Sequence, residues 1–126
     1  MAVAVADVVR ISERTSRQLQ QVATQRAAEV SALAEQIIRD FLREEAQKKM
    51  GREMEAFRAM HAKLLTRHKD EYVAVHQKQV IDHDSDQLAL FLRVDEQYPD
   101  VPILIKQVRK EVEEVYTIRS PRFEYV

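Results

Sequence analysis

The chain has 126 residues, 45% of them hydrophobic and 33% charged, with a net charge of −1. That length suits one or two small domains, and the balanced charge gives no global pull towards nucleic acid. With no cysteine, one glycine and three prolines, disulfides, thiolate zinc sites, cysteine nucleophiles and glycine-rich phosphate loops are excluded, and long helices with few tight turns are expected.

The N-terminus, Met-Ala-Val-Ala-Val-Ala-Asp, is too short and too poor in basic residues for a signal peptide. No apolar run reaches the roughly 18 residues that a membrane span needs, so no membrane association and a cytoplasmic protein are expected. Asp7–Ile11 alternates, with Val9 and Ile11 on one face and Val8 and Arg10 on the other, which predicts a short strand. A lone strand near a terminus leaves backbone groups unpaired on both sides, so it needs a partner. The same strand of a second copy would make a two-stranded ribbon, a shape that fits the DNA major groove.

Ser12 is a plausible N-cap for a first helix over Glu13–Thr24, with Leu19, Val22 and Ala23 as its apolar stripe. Gln25–Glu29 is a break without glycine or proline. A second helix starts near Val30 and carries Val30, Leu33, Ala34, Ile37, Ile38, Phe41 and Leu42. The same period continues through Ala46, Met50, Met54, Phe57, Met60, Leu64 and Leu65, interrupted only by Gly51, which costs roughly 1 kcal/mol relative to alanine in a helix. Residues 30–68 are thus one long helix or two that meet near Gly51. The charged stretch Glu44–Glu55 reads as a connector, and the Met50, Met54, Phe57 and Met60 stripe as packing core, dimer interface or partner groove.

The period then changes. Tyr72–His76 alternates, Gln77-Lys-Gln turns, and Val80-Ile81 resumes, which predicts a hairpin. A helix over Gln87–Tyr98 follows, capped by Asp84 or Ser85 and closed by Pro99 and Pro102. Val101–Ile105 is a buried strand by its continuous apolar run. Val112–Ile118 is a candidate further strand, and Arg119–Glu124 an extended tail whose Arg119 and Arg122 are candidate contacts for nucleic acid or a partner's acids.

Residues 7–44 resemble the ribbon-helix-helix family of DNA-binding proteins, which includes bacterial repressors and antitoxins. The likeness rests on Val8-Val-Arg-Ile-Ser12, on Leu19–Ala23 and on Val30–Leu42. It implies an intertwined homodimer whose paired strands enter the major groove. The DNA contacts implied are Val8 and Arg10 on the outward strand face, with Ala6 beside them, together with Ser12, Arg14 and Ser31. Arg10 can bond guanine bidentately, and Ser31 lies where the family clamps a phosphate on free helix amides. The four arginines between Val8 and Ala28, Arg10, Arg14, Arg17 and Arg26, against the single acid Glu13, fit a basic DNA-binding head. The chain departs from the family at Ala27, where the inter-helix turn carries glycine, and at Glu29, which would repel a phosphate. Residues 61–124 resemble a small bacterial domain family of unknown function, through Glu71–Val75, Val80–His83, Pro102–Ile105 and Arg119–Phe123.

Asp82, Asp84 and Asp86 alternate like the start of a calcium loop, but Gln87 and Arg93 stand where that loop needs glycine and glutamate. The acids read as helix caps. His61 and His68 share a helix face and His76 and His83 flank the hairpin, without metal-ligand spacing. No metal, cofactor or nucleophile–base pair is expected, so the chain reads as a non-enzyme.

The expected fold is α+β. A ribbon-helix-helix domain spans residues 1–45, a helical connector 46–68 and a small α+β domain 69–126. The expected function is a dimeric sequence-specific transcriptional regulator of prokaryotic type, including an antitoxin that holds its toxin through residues 45–126. The alternative is an adaptor or assembly subunit that uses the N-terminal module only to dimerise.

Overall fold

In the structure, a computed structural model that describes residues 8–112 and 117–119, the chain divides into two compact units, Met1–Phe41 and Leu42–Val126. Asp7, Ala6 and the tail beyond Arg119, all given roles above, lie outside the described residues, as does part of the Val112–Ile118 segment.

In the first unit, the backbone amide of Thr15 donates to Ser12 Oγ at 3.1 Å, and this cap opens α1 (Glu13–Gln25). The strand expected at Asp7–Ile11 is not formed within the single chain: Val8–Ser12 carry no regular structure. The physical reason is that a strand exists only by pairing, and one short edge segment has nothing in its own unit to pair with. The break after α1 is a Schellman turn. Ala27 takes the left-handed conformation (φ 52°), its amide bonds Thr24 O, and the Ala28 amide bonds Ala23 O at 2.9 Å. A glycine would take this backbone freely. Alanine here costs roughly 1–2 kcal/mol.

α2 (Val30–Arg67) is one continuous helix of 38 residues. Gly51 does not break it: the residue is exposed, and a Cβ there would meet nothing within 4 Å. The propensity loss of one glycine is smaller than the packing gained on either side of it.

The second unit is built on an antiparallel sheet in the order β2-β1-β3-β4. β1 (Tyr72–His76) and β2 (Gln79–Asp84) form the expected hairpin, joined by Gln77 and Lys78, both at positive φ. A bulge at Ile81 shifts the register between Ala74 and Val75. α3 (Gln87–Gln97) follows, capped by Asp86 rather than Asp84 or Ser85: Asp86 Oδ1 accepts from the amides of Leu88 and Ala89. β3 (Ile103–Gln107) starts two residues later than the apolar run suggests, because Pro102 has no amide to offer a ladder. β4 (Thr117–Arg119) pairs with β3.

Helices cover both faces of this sheet. Val73, Val75, Leu104 and Val108 pack with Met50, Met54, Phe57 and Leu64 of α2. Ala74, Ile103 and Ile105 pack with Leu90 and Val94 of α3. Double coverage explains the continuous apolar run of β3, and it buries Val73, Ala74 and Val75 in succession in β1, where the sequence reads as alternating. It also corrects the reading of residues 46–68 as a connector, since this part of α2 supplies one wall of the core. The methionine stripe is that wall: Met50 and Met54 are buried, and Met60 packs at its edge.

Two polar clamps lock the second unit. Arg93 of α3 donates to Asp82 (3.0 and 3.1 Å) and to Asp84 (2.7 Å) of β2. The Arg93 hydrogen bond to Asp82, and for Asp84 the Asp86 amide first and then Arg93, hold both carboxyls below the usual range. On the opposite face, Lys49 of α2 reaches Glu53, His76 Nδ1 and the carbonyl of Pro102.

Candidate nucleic-acid interface

All five residues expected at DNA lie in the first unit and are exposed: Val8, Arg10, Ser12, Arg14 and Ser31. Val8, Arg10 and Ser12 come from the segment that enters α1. Ser12 is already engaged, since its Oγ donates to Thr15 Oγ1 at 2.9 Å and accepts from the Thr15 amide. Arg14 stands in the first turn of α1. A surface ion pair joins Glu13 to Arg17 at 3.5 Å.

The start of α2 is arranged differently from the expectation. The amide of Ser31 donates to Glu29 Oε1 at 3.1 Å, and the amide of Ala32 donates to Glu29 Oε2 at 2.9 Å. A carboxylate thus occupies the helix amides that the ribbon-helix-helix resemblance assigns to a phosphate. These bonds, with Ala32 first and Ser31 second, hold the Glu29 carboxyl below its usual range. Glu29 therefore stays ionised throughout the neutral range. The Glu29 departure was visible in the sequence; its capping role was not, because a glutamate before a helix can point either way.

Replacing Glu29 with alanine is expected to act in two opposite directions. Loss of the cap lowers the melting temperature, while removal of the negative charge raises affinity for duplex DNA a few-fold, if the α2 amides face a phosphate. Thermal melting and fluorescence anisotropy on the same variant read both. A lower melting temperature with no gain in affinity would remove Ser31 and the α2 amides from the interface.

The apolar side chains around this surface are the other notable feature. Within the unit only Ala23 and Leu33 are buried among the described residues, while Val8, Val9, Ile11, Val22, Ile37, Ile38 and Phe41 stay exposed. Val8 is 80% and Phe41 58% exposed. By contrast, the second unit buries a full core and exposes only Leu42, Leu88 and Leu92 of its large apolar residues among those described.

The remaining titratable groups resolve mostly into structural roles. Asp82 and Asp84 grip Arg93, and Asp86 caps α3. His61 Nε2 bonds the carbonyl of Arg109 at 2.6 Å. His76 bonds Lys49 and packs against Tyr98, and burial, aided by Lys49, lowers its pKa. His68 and His83 are the exception, since they converge on Glu71. Their spacing in sequence carries no signal of this, because the approach depends on the hairpin register that sets His83 opposite Val73.

The fold and these sites define an α+β protein with a helical N-terminal unit and a helix-covered antiparallel sheet. Residues 63–111 match the model of a family of unknown function, DUF5678. The matched segment covers the end of α2, the hairpin, α3 and β3, within the second unit. No curated protein and no solved structure matches the chain. Among the described residues, no helix is long and apolar enough to cross a membrane.

Proposed function

We propose that the chain is a dimeric, sequence-preferring DNA-binding regulator acting in the cytoplasm, in which two copies of the first unit complete a ribbon-helix-helix module. The observation that carries this reading is the set of apolar residues left exposed there, on both helices and on the segment before α1. A unit this small cannot bury enough surface alone, and a large exposed apolar patch marks an interface. A second copy would cover Ile37, Ile38 and Phe41 and would give Val9 and Ile11 a strand to pair with. Val8 and Arg10 would then project from the outer face of the ribbon, with Arg14 near the backbone. The second unit, a folded body with its own core, would carry the partner or effector contacts; a toxin is one such partner.

Replacing Arg10 with alanine is expected to weaken binding to a preferred sequence by about 1–3 kcal/mol while changing binding to scrambled DNA far less. Anisotropy titrations of both duplexes measure this. Equal losses on the two would reduce Arg10 to a phosphate contact, and no loss on either would remove it from the interface.

A second reading, that the module only dimerises and the chain is an adaptor, is favoured by Glu29 on the α2 amides. It predicts no DNA binding even at low salt, where phosphate attraction is strongest.

A further inference from the structure

Helical hydrogen bonding in α2 continues one residue past Arg67, where the His68 amide bonds Leu64 O at 2.7 Å. The chain then turns tightly through Lys69 and Asp70, with Asp70 at φ 65°. The turn is pinned to the segment after β3. The Asp70 amide donates to Val108 O and the Val108 amide donates to Glu71 O, both at 2.8 Å, and Gln107 Nε2 donates to Asp70 O. His68 and Glu71 therefore stand three residues apart on a backbone held at both ends. His83 approaches from β2, whose carbonyl at that residue is held by Arg93 Nη2 at 3.1 Å.

Three donor groups meet there. His83 Nδ1 lies 2.9 Å from Glu71 Oε2, and His68 Nδ1 lies 3.5 Å from Glu71 Oε1. One donor atom from each of the three side chains falls within 4.8 Å of the others. The imidazole centroids are 4.2 Å apart, tilted by 43°. His68 Nδ1 is buried and has no hydrogen-bond partner; its carboxylate neighbour is beyond the range of a proper N–H···O bond. A buried ring nitrogen without a partner is costly unless something else takes its lone pair.

Two imidazoles and one carboxylate are also a donor set that a divalent cation takes together, through neutral ring lone pairs and a carboxylate oxygen. The side chains are 18%, 30% and 50% exposed for His68, Glu71 and His83. The cluster thus grades from a mostly covered His68 to a half-exposed His83, and three protein ligands leave a position for water or another ligand on a metal ion.

We propose that His68, Glu71 and His83 bind a divalent transition-metal ion of the zinc class. The proposal does not depend on the DNA-binding reading, since all three residues belong to the second unit.

The test uses the full chain without an affinity tag, stripped with chelator and titrated with Co2+, whose d–d absorption reports a low-coordinate nitrogen–oxygen site. Saturation at one ion per chain, with Zn2+ abolishing the bands stoichiometrically, is expected. His83→Ala, a substitution at an exposed position, should keep the circular dichroism of the parent. It should also weaken Co2+ binding by more than the roughly 10–100-fold typical of losing an outer-shell partner. Glu71→Gln should weaken it as well, and His61→Ala, outside the cluster, should leave it unchanged. Absence of d–d bands in the parent, or cobalt binding that survives His83→Ala undiminished, would overturn the site.

Discussion

Replacing Phe41 with glutamate is expected to turn a dimer into a monomer while leaving the second unit folded. Phe41 is more than half exposed in the single chain, one helical turn from Ile37 and beside Ile38. In the proposed dimer these side chains form the shared core. A buried aromatic anchor at such an interface contributes about 2–4 kcal/mol, and a two-fold interface contains the residue twice. The combined loss is about 4–8 kcal/mol, an association weaker by roughly three to six orders of magnitude, before the cost of burying a carboxylate is added. Sedimentation equilibrium over a concentration series measures the association constant. Circular dichroism and the unfolding transition of the sheet unit provide the control, because that unit's core contains neither Phe41 nor its neighbours. A parent protein that is monomeric at all concentrations, or a variant that dimerises like the parent, would remove the basis for the ribbon.

Replacing Glu53 with alanine is expected to destabilise the second unit by about 3–5 kcal/mol, the cost of removing one partner from a buried charge pair. Glu53 is only 2% exposed. Its Oε1 accepts from the Lys78 amide at 2.9 Å, and its Oε2 lies 3.5 Å from Lys49 Nζ. Burial already pulls the Lys49 pKa down, and Glu53 is the group that opposes this. Without it, a largely buried ammonium keeps only His76 and a carbonyl, and the hairpin turn loses its anchor. That turn is itself strained: Gln77 and Lys78 both sit at positive φ, the geometry for which hairpins choose Asn-Gly. The Glu53 carboxylate thus holds a turn that its own residues do not favour. Urea unfolding should show a lower midpoint with an unchanged slope. Adding Lys78→Gly to the variant should restore part of the loss, since glycine accepts the left-handed conformation freely. A loss below about 1 kcal/mol would place the pair among ordinary surface ion pairs.

These two substitutions also separate what the sequence makes legible from what it hides. The helix starts at Ser12 and near Val30, the hairpin around Gln77 and the helix after Asp86 are local features, carried by caps, periodicity and alternation. The α+β class follows from them. Gly51 was an ambiguous signal, and it resolves in favour of a single helix because an exposed glycine weakens a helix without ending it. The double role of α2 was hidden by its charge: Glu44–Glu55 reads as solvated, yet Met50, Glu53 and Met54 within it are buried.

Long-range features were not legible. Glu53 and Lys78 meet across 25 positions, and Lys49 and Pro102 across 53. His68 and His83 meet only because the hairpin register and the pinned turn at Asp70 bring them together. Asp86 rather than Asp84 caps α3 because Asp84 is committed to Arg93 and to the Asp86 amide. For the candidate N-terminal interface, the sequence marks Glu29 as a departure from the family but not that its carboxylate already fills the amides beside Ser31.

The most direct test of the proposed function is binding of the purified full chain to the DNA upstream of its own gene, followed by fluorescence anisotropy across a salt series with scrambled DNA as the comparison. The ribbon reading predicts a clear preference for the upstream sequence and a logarithm of affinity that falls linearly with the logarithm of salt concentration, as phosphate-bound counterions are released. Absence of binding at the lowest salt would contradict it and leave the first unit as a dimer clasp alone.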